Sequence, residues 1–499
     1  MAAFSRGRTV VNSLRVFWVL VILWYEVWTW DASVRSCKWP DSALLADNLG
    51  VEASHSKPTH VLLVADPQII DRHSYPSRGL VLSYITQFLV DLNLRKNWRT
   101  ALYKKPDVVV FLGDMMDSGR FVMTDEEYSE YFSRFNKIFT LNVDIPVYFI
   151  PGNHDVGLGA KITQFSDVAR ARYIEHFGQP NQEISVANHT LVLFDAPSYA
   201  DEDSQRHGQK KSFERWDPVP YGALDFMKKF PSRPHPDPVI LLSHIPLFRS
   251  DGRSCGPLRE KGTIRPGVGL GYQNTLEKQS SLRLLEFLTP TVVYSGDDHD
   301  YCEYTHVYQH GGVEKMVREV TVKSLSMVMN VRRPGFQLLS LMPTNIRASD
   351  KPTYADAPCL LPDQLGIYLV VYIPLLAISL VIVLASNMGQ QAPRRYRQSF
   401  SNDDVEAEGR RDTYPPTSSG QGPSPGWFVI QDHRRQQNTS ISNNWPGKLK
   451  DLLGLLYSGN SRFASYRRTW PGIVIADVRD IAIFPLLTFV LTTWWVTSH

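Results

Sequence analysis

The feature that most constrains this chain is the uncharged apolar segment LGIYLVVYIPLLAISLVIVLA, which runs from Leu365 to Ala385. The hydrocarbon core of a bilayer is roughly 30 Å thick, and a helix of about twenty apolar residues is needed to cross it. Residues 365–385 are therefore predicted to form a transmembrane helix, and the rest of the chain must be organised around a membrane.

The charges on either side of this segment predict its orientation. Asp356 and Asp363 precede it, whereas three arginines follow between residues 394 and 397. Arginine is enriched on the cytosolic side of membrane spans, so the chain from Gly389 onward is predicted to be cytosolic and the chain before the span lumenal.

A second apolar segment, FWVLVILWYEVWTW, lies near the start of the chain and follows an arginine-rich stretch. We interpret residues 1–15 as cytosolic and residues 16–30 as a transmembrane signal anchor. The alternative is a cleaved signal peptide, but the segment is rich in Trp, contains Glu26 and lacks a convincing small-residue cleavage site. Two spans with cytosolic outer flanks leave residues 31–362 in the lumen.

A third apolar segment, residues 477–496, is also predicted to span the membrane, with a buried core helix as the alternative. Residues 386–470 are rich in Arg, Ser, Gly, Pro, Gln and Asn, a composition that favours a largely disordered cytosolic linker. Within that linker, Lys448–Leu456 is compatible with a short amphipathic helix on the membrane surface.

Charge and cysteine content narrow the function classes. The formal net charge is only +3 and no nucleic-acid recognition motif is found, so a nucleic-acid partner is not expected. All four cysteines lie in the predicted lumenal part, where two disulfides with three possible pairings are allowed. Cys37 with Cys359 would join the two ends that enter the membrane, and Cys255 with Cys302 would brace the site region. Four unpaired thiols remain the alternative.

Five short apolar runs inside residues 31–362 each end in a turn that carries acidic, amide or imidazole side chains. Helical patterns such as Tyr84–Leu102 and Glu126–Phe139 separate most of the runs, which predicts an α/β fold with ligands beyond the carboxyl ends of its strands. The polar residues at these turns are Asp66, Gln68, Asp114, Asp117, Arg120, Asn153, His154, Asp155, His244, Asp297, Asp298, His299 and Asp300.

One polar residue at a strand end is usually a turn or helix cap. Five clusters of oxygen and nitrogen donors at a single edge are instead what two divalent cations require. Two such cations can activate a water and neutralise a phosphoryl group.

The order of these clusters resembles that of the calcineurin-like metallophosphoesterases, whose blocks run D-x-H, G-D-x-x-D, G-N-H-D/E, H and G-H-x-H. The resemblance covers roughly residues 60 to 330 and implies a four-layer α-β-β-α sandwich. The corresponding blocks are Asp66-Pro67-Gln68, Gly113-Asp114-Met115-Met116-Asp117, Gly152-Asn153-His154-Asp155, His244 and Gly296-Asp297-Asp298-His299.

This resemblance also implies a role for each residue of the blocks. Asp66, Gln68 and His299 would hold the first metal; Asn153, His244 and Asp297 would hold the second, and Asp114 would bridge them. His154 would contact the phosphate and protonate the leaving oxygen, so His154 and Asp114 are the expected catalytic residues. Asp117 and Asp155 would orient neighbouring ligands, although Asp117 could simply cap the following turn.

Two residues depart from the family pattern. Gln68 and Asp297 stand where the family commonly has histidine, so each metal gains an oxygen ligand in place of a nitrogen. Harder ligands favour Mn²⁺ or Mg²⁺ over Zn²⁺, and Mn²⁺ is the expected metal. A lost metal site is the competing interpretation.

The arrangement of spans and the segments ADPQI, SGDDHDYCE and SMVMNVRRPGFQLLSL resemble one membrane-bound subgroup of the family, the fungal cell division control protein one type and its animal relative, the post-GPI-attachment-to-proteins factor. The resemblance implies a phosphodiesterase that removes ethanolamine phosphate from a mannose of the GPI-anchor glycan, in the endoplasmic reticulum or early Golgi membrane. A lumenal phosphatase for another phosphoester or a lipid pyrophosphate, and a non-catalytic cargo receptor, remain alternatives. The oligomeric state stays open.

Substrate contacts outside the metal centre are less clear from the sequence. Arg120, Arg249, Arg332 and Arg333 are candidates because guanidinium suits phosphate oxygens, with a solvated surface charge as the alternative for each. Asn188 begins a glycosylation sequon in the predicted lumenal part, and Asn438 begins another in the predicted cytosolic linker. Only Asn188 is expected to be glycosylated.

Overall fold

The structure is a computed structural model of the chain, and it describes residues 2–45, 57–141, 144–159, 167–269, 271–343, 352–388 and 470–498. The strands are β1 (Thr59–Val64), β2 (Val108–Phe111), β3 (Val147–Phe149), β4 (Gln182–Val186), β5 (His189–Phe194), β6 (Val239–Ser243), β7 (Val268–Gly269), β8 (Tyr272–Gln273), β9 (Val292–Ser295), β10 (Cys302–His310), β11 (Val313–Thr321), β12 (Gly335–Leu341) and β13 (Tyr354–Leu360).

The helices alternate with these strands over most of the chain. They are α1 (Ala2–Leu23), α2 (Thr29–Ser36), α3 (Asp41–Leu45), α4 (Leu80–Leu102), α5 (Asp125–Ile138), α6 (Asn153–Val156), α7 (Asp167–Phe177), α8 (Ala196–Gly208), α9 (Ala223–Lys229), α10 (Lys278–Leu288), α11 (Gln364–Gly366), α12 (Ile373–Met388) and α13 (Trp470–Ser498). Two π-helical segments, Trp24–Trp28 and Ile367–Tyr372, and a 3₁₀ turn, Phe230–Ser232, join some of them.

Two mixed sheets form the centre of the part of the chain between β1 and β13. The first has the strand order β13-β12-β1-β2-β3, with β1, β2 and β3 parallel and β12 antiparallel to both of its neighbours. The second has the order β10-β11-β9-β6-β5-β4, with β11, β9, β6 and β5 parallel. A short ribbon of β7 and β8 lies outside both sheets.

The alternation of side chains along β1 shows how the layers stack. Val61 and Leu63 lie in a core that also contains Leu191 and Ile240 of the second sheet, so the two sheets face each other. Leu62 and Val64 point the other way, into a core shared with α4, α5 and α7. A third core lies between the outer face of the second sheet and α8, α9 and α10. Helix, sheet, sheet and helix layers result, as the family resemblance predicts.

The boundaries of the predicted elements need small corrections. The five apolar runs form β1, β2, β3, β6 and β9, as predicted. Helix α4 begins at Leu80 rather than at Tyr84, and α5 covers Asp125–Ile138 rather than Glu126–Phe139. Thr124 explains the earlier start of α5, because its side chain accepts a hydrogen bond from the amide of Glu127 and caps the first turn.

Within the described residues, two helical regions are long and apolar enough to cross a membrane. They are Arg8–Leu45 and Gln364–Met388. The third predicted span coincides with α13, which contains Pro485. The predicted helix Lys448–Leu456, the sequon at Asn438 and nearly all of the predicted linker lie outside the described residues.

The chain divides into two compact units, one of Arg15–Ile378 with Ile483–His499 and the other of Met1–Leu14 with Ser379–Ala482. In the smaller unit, Asn387 donates a 2.9 Å hydrogen bond to Asp477, so α12 and α13 are in contact there.

Both expected disulfides form. Cys37 pairs with Cys359, at a sequence separation of 322 residues, and Cys255 pairs with Cys302, at a separation of 47. The first joins the end of α2 to β13, which is the last strand before the second apolar helix. The second lies where β10 begins, just after the turn that carries Asp297 and His299.

Candidate metal centre

The predicted ligands converge because their strands end at the same side of the sandwich. Asp66 and Gln68 follow β1, Asp114 follows β2, and Asn153 opens the short helix α6 after β3. From the second sheet, His244 follows β6, and Asp297 and His299 follow β9. The carboxyl ends of parallel strands are the usual place for a ligand site in α/β folds.

Five of these seven residues have a backbone conformation that L-amino acids rarely adopt. Their φ angles are positive, from 33° at Gln68 to 68° at His299, with Asp66, Asp114 and Asp297 in between. Each such conformation costs free energy and persists only where the surrounding structure enforces it. At these five positions the strained backbone places the polar side chain at the shared edge.

Three of the four residues expected at the first metal offer donor atoms close to one another. One donor atom each from Asp66, Asp114 and His299 lies within 4.8 Å of the other two. The fourth, Gln68, donates from Nε2 to Oδ2 of Asp114 at 2.7 Å. Buried Asp66 accepts from the amide of Asp297 at 3.1 Å through Oδ1, while its Oδ2 has no hydrogen-bond partner among the described residues.

The residues expected at the second metal lie around Nε2 of His244. This atom lies 3.1 Å from Oδ1 of Asn153, 3.4 Å from Oδ1 of Asp114 and 3.5 Å from Oδ1 of Asp297. Nδ1 of the same ring is 2.7 Å from the backbone oxygen of Leu112. A carbonyl oxygen can only accept, so Nδ1 carries the hydrogen and Nε2 is left to bind a cation, the arrangement usual for metal-binding histidines.

Two glycines are required for this close approach. A Cβ atom at Gly152 would collide with the side chain and amide of Asp114, and one at Gly113 would collide with the His244 ring and the Gly152 backbone. The glycines of the G-D and G-N-H-D blocks therefore let two ligand loops pass against each other.

The charge of the cluster suits divalent cations. Burial raises the pKa of Asp66 well above its usual range; the attraction of His244 lowers that pKa in part, and the nearby charges of Asp114 and Asp297 raise it further. A cation bound here would offset the cost of the buried carboxylate. The unpartnered oxygen of Asp66 and the mixed carboxylate, amide and imidazole donors together fit two metal ions.

His154 lies at the edge of the cluster and is tied to it twice. Its amide donates to Oδ1 of Asp114 at 2.8 Å, and Nδ1 of its ring is 2.6 Å from the backbone oxygen of Asp117. Burial alone would lower the pKa of His154, but the Asp114 charge and the side chain of Asp117 outweigh it and raise that pKa to about 9.

Asp155 holds two ligand loops together rather than facing the cluster. Its carboxylate accepts from the amide of Met116 at 3.1 Å and from that of Gly152 at 2.9 Å. These bonds fix the turns that carry Asp114 and Asn153. The role predicted for Asp155, orienting neighbouring ligands, is consistent with this position.

The four candidate arginines differ in where the structure places them. Arg120 is beside the cluster: its guanidinium donates to the backbone oxygens of Gly271 at 3.1 Å and Asn153 at 3.4 Å. Arg249 is fully buried in an ion pair with Glu319 at 2.7 Å, so it does not offer its charge to a substrate. The prediction that Arg249 contacts the substrate is therefore corrected: Arg249 is a buried partner of Glu319. Arg332 and Arg333 lie in the segment before β12, where their amides donate to Glu260.

Two residues that support the centre, Gly271 and Ser324, could not be found from the sequence. The backbone oxygen of Gly271 accepts from Nδ2 of Asn153 at 2.9 Å, which turns the amide oxygen of Asn153 toward His244. Ser324 donates to the backbone oxygen of Asp66 at 2.7 Å. Neither residue belongs to a recognisable block after a strand, so no sequence pattern indicates it.

Asp298 forms an ion pair with Arg259, and Asp300 forms one with Lys323, so both act as local hydrogen-bonding residues.

Comparison with known proteins agrees with this geometry. The sequence pattern of the Calcineurin-like phosphoesterase family matches residues 59–301, which include every predicted metal ligand. Cell division control protein 1 of Saccharomyces cerevisiae is 34% identical over 364 residues, which cover 71% of this chain and 70% of that protein. The chain belongs to the calcineurin-like phosphoesterase family.

Other members of this family are more distant. Metallophosphoesterase 1 of Macaca fascicularis is 26% identical over 74% of this chain and 87% of its own length, and its Drosophila melanogaster homolog is 26% identical over 66% and 81%. These relatives and the yeast protein fit the membrane-bound subgroup that the sequence resembles. A calcineurin-like phosphoesterase hydrolyses phosphoesters with the help of divalent metals, and this chain has the donor groups to hold them.

Proposed function

We propose that this protein is a two-metal phosphodiesterase that removes ethanolamine phosphate from a mannose of the GPI-anchor glycan. The catalytic part of this proposal is supported by two groups of metal-binding side chains, both of which include Asp114. We assign Asp66, Gln68 and His299 to one metal position, and Asn153, His244 and Asp297 to the other.

Two cations held by these residues would neutralise charge on the phosphoryl group and would activate a water. Asp114 would be shared by the two positions, and the hydrogen bond that Nδ1 of His244 donates to the backbone oxygen of Leu112 keeps His244 in the metal-binding tautomer. Nε2 of His154 delivers a proton to the leaving oxygen, a role that suits its raised pKa. Arg120 adds positive charge beside the cluster for the phosphate oxygens.

The metal is proposed to be Mn²⁺. Gln68 and Asp297 replace two imidazoles with oxygen donors, and oxygen ligands favour Mn²⁺ or Mg²⁺ over Zn²⁺.

The proposed substrate follows from the resemblance to the membrane-bound subgroup and from the two apolar helices that flank the catalytic part. GPI glycans lie close to the lumenal leaflet, and a catalytic domain tethered at both ends would stay at that height. We assign residues 31–362 to the lumen of the endoplasmic reticulum or early Golgi, and residues 1–15 and 386–470 to the cytosol. Residues 16–30, 365–385 and 477–496 are proposed as the three spans.

The direct test is product release by the purified, detergent-solubilised protein loaded with Mn²⁺. GPI glycan bearing ethanolamine phosphate, a phosphopeptide and a lipid pyrophosphate are offered in parallel. The proposal expects release of ethanolamine phosphate from the glycan alone, abolished by Asp114→Asn and retained by Asp251→Asn, which changes an exposed carboxylate. Hydrolysis of another substrate would leave only the phosphoesterase activity. No release from any of them with both metals bound would favour the cargo-receptor alternative.

A further inference from the structure

The first turns of α4 expose an unusual amount of apolar surface. No charged residue occurs between Arg78 and Asp91. The side chain of Leu80 is 91% exposed, that of Val81 75% and that of Tyr84 74%. Leu82, Ile85 and Phe88 are also exposed.

The distribution of these side chains favours lipid over a protein partner. Leu80, Val81 and Leu82 are consecutive, and successive helical residues are rotated by about 100°, so the first turn is apolar on most of its circumference. A flat protein interface covers one face of a helix only. A helix end that is apolar on most of its circumference suits an apolar medium.

A groove of about 730 Å³ lies beside these turns. Ligand sites typically have volumes of roughly 300–1,000 Å³, so the groove is large enough for a phospholipid headgroup and the start of its chains. One wall belongs to the helical region Gln364–Met388, which is long and apolar enough to cross a membrane. The apolar lining includes Leu89, Val90, Met327, Val328, Leu365 and Leu369.

The polar lining of the groove is mainly basic. Arg78, Lys261 and Arg332 contribute three positive charges, whereas among the described residues Asp363 contributes the one acidic side chain that lines the groove. Arg78 stacks on the ring of Tyr75 at 3.7 Å, and Arg332 is largely exposed, 3.4 Å from Asp363. A basic rim above an apolar floor complements a phosphate with acyl chains.

The groove is connected to the metal centre through short loops. Met327 follows Ser324 by three residues, and Ser324 is hydrogen-bonded to the backbone of Asp66. Lys261 follows Arg259 by two residues, and Arg259 forms an ion pair with Asp298 in the turn that carries Asp297 and His299.

We propose that this groove binds a phospholipid of the leaflet next to the catalytic domain, with its phosphate on Arg78, Lys261 and Arg332. The first turns of α4 dip into the same leaflet. The inference rests on the membrane span proposed for Gln364–Met388 and does not depend on the identity of the substrate.

Insertion of α4 is tested in phosphatidylcholine vesicles with the full chain and its disulfides intact. A single environment-sensitive fluorophore is attached to Leu80→Cys or, as a matched control, to Tyr221→Cys, whose native side chain is equally exposed at 91%. Spin-labelled phospholipid is expected to quench the label at position 80 and not that at 221, while aqueous iodide does the reverse. Equal quenching at both positions would overturn the insertion of α4.

The groove is tested with a phospholipid that carries a photoreactive group on its acyl chain, in vesicles containing anionic phospholipid. Cross-links are expected on the peptide that contains Leu365 and Leu369. Arg78→Gln should weaken the binding of a short-chain anionic phospholipid to the detergent-solubilised full chain about fivefold, the effect of one interfacial charge, whereas the exposed control Arg215→Gln should not.

Cross-links between two copies of the chain, or lipid cross-links that Arg78→Gln leaves unchanged, would overturn the lipid site. Hydrolysis of a soluble phosphodiester by the same variants is measured alongside. A protein that binds lipid but hydrolyses nothing would contradict the proposed function and leave the lipid site standing.

Discussion

Nδ1 of His154 lies 2.6 Å from the backbone oxygen of Asp117, and this contact determines which ring nitrogen can serve a substrate. A carbonyl oxygen only accepts, so Nδ1 donates and Nε2 is the nitrogen that faces away. A proton delivered to a leaving oxygen must therefore come from Nε2. The raised pKa of His154 keeps that nitrogen protonated near neutral pH.

His154→Asn should lower kcat on an alkyl phosphodiester by about 10²-fold or more, because a general acid typically contributes 10²–10⁴ to the rate. With bis(p-nitrophenyl) phosphate the loss should be much smaller, since p-nitrophenolate needs no proton to leave. Kinetics on both substrates, with metal content measured by mass spectrometry, check this. Equal losses on the two substrates would assign His154 to binding instead.

Restoring histidine at the two departing positions should change the metal preference. Gln68→His and Asp297→His each add an imidazole in place of an oxygen donor, and nitrogen ligands suit Zn²⁺. The double variant is expected to bind Zn²⁺ more tightly relative to Mn²⁺ than the natural protein does. Competition between the two metals in a calorimeter measures this, and an unchanged ratio would mean that neither side chain is a ligand.

The buried pair of Arg249 and Glu319 should govern acid stability. Burial alone would raise the pKa of Glu319, but the charge of Arg249 and the bonds from His306 and Ser295 lower it to about 2. The stabilisation is therefore complete above the ordinary glutamate pKa of about 4.5 and is lost as the pH falls toward 2.

Glu319→Gln should accordingly lower Tm strongly at pH 7, since breaking a buried pair costs about 3–5 kcal/mol. The difference from the natural protein should shrink below pH 4.5. Thermal unfolding in detergent across this pH range measures it, with the exposed Glu314→Gln as control. A pH-independent difference would contradict the low pKa of Glu319.

Asn188 is exposed at the two-residue turn between β4 and β5, where a glycan has room. In cells, Asn188→Gln should abolish the mobility shift that endoglycosidase produces, whereas Asn438→Gln should leave it unchanged. A glycan on Asn438 would overturn the proposed topology.

Local patterns in the sequence predicted an α/β fold with polar residues at the strand ends, and the family resemblance added the four-layer sandwich and the expected ligand set. Buried strands such as Val108–Phe111 appear in the sequence as short apolar runs. Because the main strands are parallel, the residues that follow these runs lie at the same edge of the sheets. The features that the sequence did not predict depend on tertiary packing. Arg249 was a candidate phosphate contact, but in the folded chain it forms a buried ion pair with Glu319, which is remote in sequence.

The positive φ of Asp66 and Asp297 was equally hidden, because only the assembled centre enforces such strain. The exposure of Leu80 was hidden for a related reason. An apolar residue in a helical pattern reads as core until the neighbouring elements are in place, and here none of the described elements covers the first turn of α4.

Removal of ethanolamine phosphate in cells can be followed by mass spectrometry of GPI glycans from cells that contain the natural protein, no protein or Asp114→Ala. Ethanolamine phosphate is expected to persist on one mannose in both defective cells and to be removed by the natural protein, which also identifies the mannose. Glycans identical in all three cells would contradict the proposed substrate, whatever phosphoester the metal centre hydrolyses.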